Sequence, residues 1–281
     1  LLKPIDMDTL KSAVGRAIKL HRLAKLKQQA LDVIGAQSAQ VSDRTGLEVT
    51  FQKGLEALWM AYQPIVRTST KEIFAYEALL RTKETTIPHP GAFLDIAERL
   101  ERLPDLGRAV RASVAQDLLS APENLTIFVN LHPLDLQDDD LIVDGSALVS
   151  FAPRVVFEIT ERASLAHDRH VSERIKQIKG RGFRIAVDDL GAGYSGLSSL
   201  ASLSPEVAKI DMSLIRDIDT NPTKRALVRS LVETCQELDM VVVSEGIETP
   251  EERDTLISIG ADLMQGYYFA KPSPPFCDVK W

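Results

Sequence analysis

Cysteine is scarce in this 281-residue chain, which has only Cys235 and Cys277. Two cysteines cannot build a disulfide framework, and neither stands in a Cys-x-x-Cys or Cys/His pattern, so a reducing cytoplasm is the expected compartment. Long apolar runs are missing as well. The longest, such as Met240 to Val243, are strand-sized, far short of the roughly 20 residues of a membrane helix. No signal peptide is recognisable, and a soluble protein with no membrane partner is expected. There is no excess of basic charge: 33 Lys and Arg stand against 40 Asp and Glu, a net charge of -7. That argues against DNA or other nucleic acid as a partner bound through a basic surface. Metals and a few placed Lys or Arg are left to hold any anionic substrate. The chain begins at Leu1 inside a pattern that looks broken off, and so reads as a piece of a longer one.

With 44% hydrophobic and 26% charged residues, the chain is long enough for one barrel and an appendage. From Met7 to about Gly35, Leu10, Ala17, Ala24 and Leu31 recur every seven residues, widened by Val14, Leu20, Leu23 and Ile34. Lys19, Arg22, Lys25 and Lys27 occupy the other face. This predicts a connecting helix that pairs with a copy of itself, or one packed on its own barrel. Gln37 to Thr50 is polar and ends the periodicity. From Phe51 onward strands and helices alternate. The expected strands are Leu58–Val66, Glu72–Leu80, Thr126–Leu131, Arg154–Ile159, Phe183–Asp188, Val207–Asp211, Met240–Ser244 and Met264–Phe269. Eight strands suit a (β/α)8 barrel. Expected helices are Pro90–Leu100, Asp105–Leu119, Leu165–Lys179, Pro222–Leu238 and Pro250–Ser258. Arg67 to Lys71 is too short for a crossover helix. The first two strands should therefore form an antiparallel hairpin, giving a modified TIM (β/α)8 barrel with an antiparallel first strand, preceded by a long linker helix.

The expected strand ends carry acids and an amide: Glu77, Asn130, Glu158, Asp188 with Asp189, Asp211, and Glu245. Unpaired carboxylates are costly to bury, so one such acid is ordinary, but a series is hard to attribute to packing. On one barrel face they make a ring of hard oxygen ligands suited to magnesium or manganese. Hydrolysis of a phosphodiester needs an activated water and stabilisation of charge on the phosphoryl oxygens, and two metals supply both. Glu77, Asn130, Glu158 and Asp188 suit a first metal, Asp188 bridges to a second, and Asp189 holds that second ion. Calcium would occupy the site and inhibit, because its longer bonds misplace the attacking water. Lys209, two before Asp211, faces the same way. It orients the attacking hydroxide, or else balances the acids as a salt-bridge partner.

Several runs also carry a resemblance: Tyr62-Gln63-Pro64-Ile65, Glu77-Ala78-Leu79-Leu80-Arg81, Asn130, Phe157-Glu158-Ile159-Thr160-Glu161, Asp188-Asp189-Leu190-Gly191-Ala192-Gly193-Tyr194-Ser195, Lys209-Ile210-Asp211, Glu245-Gly246-Ile247-Glu248 and Gln265-Gly266-Tyr267. In this order they resemble the EAL family of bacterial phosphodiesterases, which cut cyclic di-GMP to linear pGpG. The resemblance implies the same metal ligands, with Glu245 near the second metal or its water and Lys209 in the catalytic group. It implies that Glu161 steadies the loop Gly191–Gly196, which shapes the second metal site and contributes to dimer contacts. Gln63, Leu80, Arg81, Asp211, Glu248 and Gln265 match positions around the nucleotide. The start, Lys3-Pro4-Ile5 and Met7 to Ile18, resembles the last loop and helix of a response-regulator receiver domain. The implied division is residues 1–20 for the receiver end, 21–50 for a helical linker and 51–281 for the phosphodiesterase domain. A homodimer through barrel and linker, and a histidine kinase acting on a receiver, follow as implied partners.

Other readings stay open at this level. Arg81 grips a phosphate or guanine edge, or is a surface arginine. Tyr267, Tyr268 and Phe269 stack on a base, or belong to the core. His132 stands where many relatives have a serine, and strand alternation sets it apart from the ligands. A catalytically weak EAL module serving as a cyclic di-GMP receptor or protein-interaction domain is the alternative function. An unrelated magnesium-dependent barrel acting on a carbon acid would share the acid ring and the lysine, but not the runs at Glu77 and Asp188.

Overall fold

The computed structural model describes residues 44–160, 169–192, 196–279 and 281. The expected helix at 7–35 and the divisions at 1–20 and 21–50 lie outside these residues, apart from 44–50. Contacts divide the chain into Leu1–Gln52 and Lys53–Trp281; residues 44–56 are helical, and the fold below is that of the second unit.

Eight strands close into a barrel in sequence order: β1 (Leu58–Arg67), β2 (Glu72–Thr82), β3 (Ile127–Asn130), β4 (Val155–Thr160), β5 (Arg184–Leu190), β6 (Val207–Ile210), β7 (Val241–Ser244) and β8 (Leu263–Met264). β1 is antiparallel to both neighbours, β2 and β8, and every other pairing is parallel. The four-residue turn between β1 and β2 leaves only a hairpin possible, whereas the parallel pairs are joined by long crossovers. Pro90–Arg99 and Leu103–Leu118 fill the connection from β2 to β3, and Arg169–Gly180 that from β4 to β5. Pro222–Glu237 and Pro250–Ser258 precede β7 and β8. Each of these last two starts with Pro in its first turn behind an Asn221 or Thr249 cap, which satisfies amides that a helix start leaves bare. Among the described residues no helix is long and apolar enough to cross a membrane.

Strand alternation sorts the side chains. A small cluster takes one residue from each strand: Ile65, Ala75, Phe128, Val156, Ala186, Val207, Val243 and Leu263. These fill the lumen, and a larger cluster packs the strands against the helices. Two residues further along each parallel strand comes a polar group: Glu77, Asn130, Glu158, Asp188, Lys209, Glu245 and Gln265. On the reversed β1 the partner of Ile65 is two residues earlier, Gln63. The barrel thus carries an apolar floor with a polar layer directly above it.

Several sequence expectations change. Glu77, Glu158 and Asp188 are not at strand ends but inside β2, β4 and β5; β2 continues to Thr82 because β1 pairs with it as far as Leu58. The last strand is Leu263–Met264 rather than Met264–Phe269. Beyond it Gly266 lies so close to Ile247 that a Cβ there would meet the Ile247 oxygen at 2.0 Å, and the chain turns. Two helices, Gly196–Leu203 and Met212–Ile215, were not expected.

Candidate active site

The polar layer floors a cavity of about 340 Å³ lined by Gln63, Glu77, Asp188, Asp189, Lys209, Asp211, Glu245, Glu248 and Gln265, with Met212, Gly246 and Tyr267 at its rim. Lys209 is its centre. Its Nζ is 2.5 Å from Glu158 Oε1, 2.6 Å from Glu245 Oε1, 3.4 Å from Asp188 Oδ1 and 3.5 Å from Glu77 Oε2. Lys209 and Glu158 are each 1% exposed. Burial alone would push the Lys209 ammonium down, but Glu158, Glu245, Glu77 and Asp188 outweigh it and hold it well above its ordinary value. Glu158 is driven the other way: burial, then the nearby Glu77 carboxylate, raise it well above the usual range despite Lys209. Glu245 is pushed up to about 8, chiefly by burial, against the pull of Lys209. For Glu77 burial raises, but Lys209 and the amides of Gln265 and Asn130 prevail and its carboxyl is lowered.

Glu77 is held from both sides. Asn130 Nδ2 donates to its Oε1 at 3.0 Å and Gln265 Nε2 to its Oε2 at 2.6 Å. Gln265 Nε2 also reaches Gln63 Oε1 at 3.2 Å, and Gln63 Nε2 donates to the Ala270 carbonyl. Gln63 and Gln265 are therefore buried behind a carboxylate as well as lining the cavity.

Two adjacent residues of a regular strand face opposite ways, yet Asp188 and Asp189 both line the cavity. The cause is a register shift between Val187 and Leu190, where β5 spends one residue more than β6, with Asp189 at φ 59°. Asp211 lies just past β6 and caps Met212–Ile215 by accepting from the Ser213 amide.

Leu80, Arg81 and Asn130 line a neighbouring, largely apolar cavity of about 730 Å³, which shares Leu79 with the first. Arg81 Nη1 donates to the Leu80 carbonyl at 2.7 Å. Of the three aromatics in question, Tyr267 is exposed at the rim, whereas Phe269 is in the core, edge-on to Tyr268. His132 caps the turn Pro133–Gln137 by accepting from the Leu134 amide. Glu161 lies outside the described residues, as do Gly193 to Ser195 of the glycine loop.

A buried ion-pair group, absent from the sequence reading, holds the segment that follows Asn130. Arg111 donates to Asp135 Oδ1 at 2.9 Å and Asp138 Oδ2 at 2.7 Å. Asp135 Oδ2 accepts from the His132 amide, and Arg108 forks onto Asp138. The available signal was spacing: Arg108 and Arg111, like Asp135 and Asp138, are three apart.

The donors fit hard divalent ions by chemistry, since carboxylates and an amide converge and Glu158 Oε1, Glu158 Oε2 and Asp188 Oδ1 are buried acceptors without a hydrogen-bond donor of good geometry. Among the described residues no three Asp, Glu, His or Cys groups are already close enough to chelate one ion. Lys209 stands between the carboxylates of Glu77, Glu158, Asp188 and Glu245, and its ammonium is their shared cation in this structure.

A modified barrel with a carboxylate-rich mouth is the class that fold and site define. The chain belongs to the EAL domain family, which it matches over residues 47–272. The cyclic di-GMP phosphodiesterase PdeR of Escherichia coli K12 is 31% identical over 247 residues, 84% of this chain and 37% of PdeR. The PaMucR phosphodiesterase, solved as a cyclic di-GMP complex, superposes with a TM-score of 0.72 at 27% identity, covering 82% of this chain and 98% of that one. Klebsiella pneumoniae BlrP1, solved with manganese and cyclic di-GMP, gives a TM-score of 0.68 at 30% identity over 77% of this chain and 56% of its own; a calcium complex is similar. The chain spans about a third of the length of the first curated relatives it matches.

Proposed function

We propose that this chain is a cytoplasmic phosphodiesterase that hydrolyses cyclic di-GMP to linear pGpG. The observation that carries the reading is the Lys209 ammonium within 3.5 Å of the carboxylates of Glu77, Glu158, Asp188 and Glu245. Glu77, Asn130, Glu158 and Asp188 would hold one divalent ion, and Asp188 with Asp189 a second, Glu245 standing beside it. When bound, such ions lower the pKa of water and neutralise charge on the phosphoryl oxygens. Lys209 supplies a fixed positive charge that orients the attacking water and offsets charge developing on the phosphate. Asn130 and Gln265 fix the Glu77 carboxylate. The substrate reaches from this cavity across Leu79 towards Leu80 and Arg81, with Asp211 and Glu248 on the opposite rim and Gln63 on the wall beside Glu77.

The neighbours solved with cyclic di-GMP, and with manganese, support this reading. The test is incubation of the chain with cyclic di-GMP and magnesium or manganese, followed by separation of products. Linear dinucleotide as the first product is expected, with calcium occupying the site but slowing turnover, since its bonds of about 2.3–2.6 Å exceed the 2.0–2.1 Å of magnesium. Tight binding without product would make the chain a receptor. The seven-residue stripe from Leu10 to Leu31 supports a helix that pairs two copies and couples the barrel to a phosphorylated receiver. Light scattering and rates on a chain lacking residues 1–35 test that part.

A further inference from the structure

Glu248, on the rim of the cavity, is fixed at both ends by residues that do not line it. Its backbone amide donates to Glu252 Oε2 at 2.9 Å, and its carboxylate Oε1 accepts from Arg216 Nη2. Glu252 is 2% exposed, and its two oxygens serve two loops. Oε2 accepts from Glu248 and Thr249, after β7, while Oε1 accepts from the Asp217 amide, after β6. Arg216 sits at the C-terminal cap of Met212–Ile215, whose N-terminal cap is Asp211, and its carbonyl accepts from Lys224 Nζ. The ring closes through direct packing: a Cβ on Gly246 would lie 2.4 Å from Met212 Cβ. Asp211 and Glu248, on different strand-end loops, are thereby held in one hydrogen-bonded frame.

We propose that Arg216 is a positioning residue that aims the Glu248 carboxylate at the substrate, with Glu252 holding the two loops in register. This rests on the reading of the site as a cyclic di-GMP hydrolase in which Glu248 contacts the nucleotide. Glu248 and Arg216 both reach solvent, with side chains 45% and 31% exposed. A pair this exposed adds little to fold stability, so its effect is on the direction of a side chain. The four carboxylates around Lys209 do not include Glu248, whose carboxylate pairs with Arg216, so an error in its direction weakens binding in ground and transition state alike and leaves the chemical step intact.

The test is a double-mutant cycle on the full chain, with kcat and KM for cyclic di-GMP measured for wild type, Arg216→Met, Glu248→Gln and the double variant, and for Arg216→Lys as the conservative replacement. Arg216→Met is expected to raise KM about fivefold with kcat within about twofold, Arg216→Lys to recover part of the loss, and the double variant to be no worse than Glu248→Gln. An unchanged KM in Arg216→Met, a fall in kcat instead, or independent effects that multiply in the double variant would each overturn the proposal. If wild type neither binds nor cleaves cyclic di-GMP, the underlying reading fails together with it. A wild type that turns over beside an Arg216→Met of unaltered KM removes the proposal alone.

Discussion

Gln265 Nε2 donates to Glu77 Oε2 at 2.6 Å, tying the segment after β8 to β2 past the intervening β1. Gln265 is 4% exposed and also bonds Gln63, so it is placed to orient the Glu77 carboxylate, the proposed metal ligand. Gln265→Leu should weaken manganese binding about 10- to 100-fold, the usual cost of losing an outer-shell partner. Calorimetric titration with manganese measures this. An unchanged manganese affinity with a raised KM for cyclic di-GMP would make Gln265 a substrate contact only.

Lys209 sets one positive charge among four carboxyl groups, of which Glu77 is held ionised beside it. In Lys209→Met those acids face one another across a buried site, and the chain should lose about 3–5 kcal/mol of stability in chelator. Manganese should restore much of it, because an ion that binds only the folded state stabilises by mass action. Turnover should stay at least about 100-fold down while substrate binding changes far less. Denaturant melts with and without manganese, beside rates and dissociation constants, separate the two effects; full activity in Lys209→Met would end its assignment to the chemistry.

Much of the site was legible because a barrel strand has a period of two. An apolar lumen residue such as Phe128, Val156 or Val207 is followed two later by Asn130, Glu158 or Lys209, and that spacing is visible in the chain. What escaped depends on pairing. Glu77 groups with the strand-end acids in sequence although its expected strand runs on to Leu80, and pairing with β1 carries β2 further, to Thr82. The shared orientation of Asp188 and Asp189 comes from a bulge against β6 that neither strand announces. Gly107, a poor helix residue inside Leu103–Leu118, makes sense only in three dimensions, where a Cβ would lie 2.1 Å from Asp135 Oδ1. Arg216 and Glu252 belong to no strand end, and their partners lie 32 and 35 residues away.

Asp262 holds a hydrogen-bonded seam beside the barrel closure. It accepts from the Ser69 amide and hydroxyl, the Thr68 hydroxyl and Arg67, fastening the β1–β2 turn beside the β1–β8 closure. Burial raises its carboxyl, but Ser69, Thr68 and Arg67 together hold it below its ordinary value. A carboxyl lowered by folding contributes stability that is complete above the unfolded value near about pH 4 and is lost as pH falls through the folded one. Asp262→Asn should cost about 1 kcal/mol at neutral pH, discounted for partial exposure, with the gap to wild type closing only as acid takes the pH below the lowered folded value. Urea melts between these values decide it; a gap that is constant with pH would assign the loss to shape rather than charge.

Arg111 is 4% exposed and its guanidinium spans two buried acids, Asp135 and Asp138. Asp138 has a second cation in Arg108, but Asp135 is left with the His132 amide once Arg111 is gone. Burial already raises the Asp135 carboxyl against the pull of Arg111. Removing one partner from such a pair leaves a buried charge unmatched, so Arg111→Met should lose about 3–5 kcal/mol, whereas Arg111→Met with Asp135→Leu should recover a large part of that loss. The same segment starts at Asn130, whose amide bonds Glu77, so the single variant should also bind manganese more weakly at temperatures where it remains folded. Urea unfolding at constant m-value and manganese titration make the two measurements. A loss below about 1 kcal/mol would show that Asp135 escapes its burial by another route, and an unchanged manganese affinity would separate this ion-pair group from the placement of Asn130.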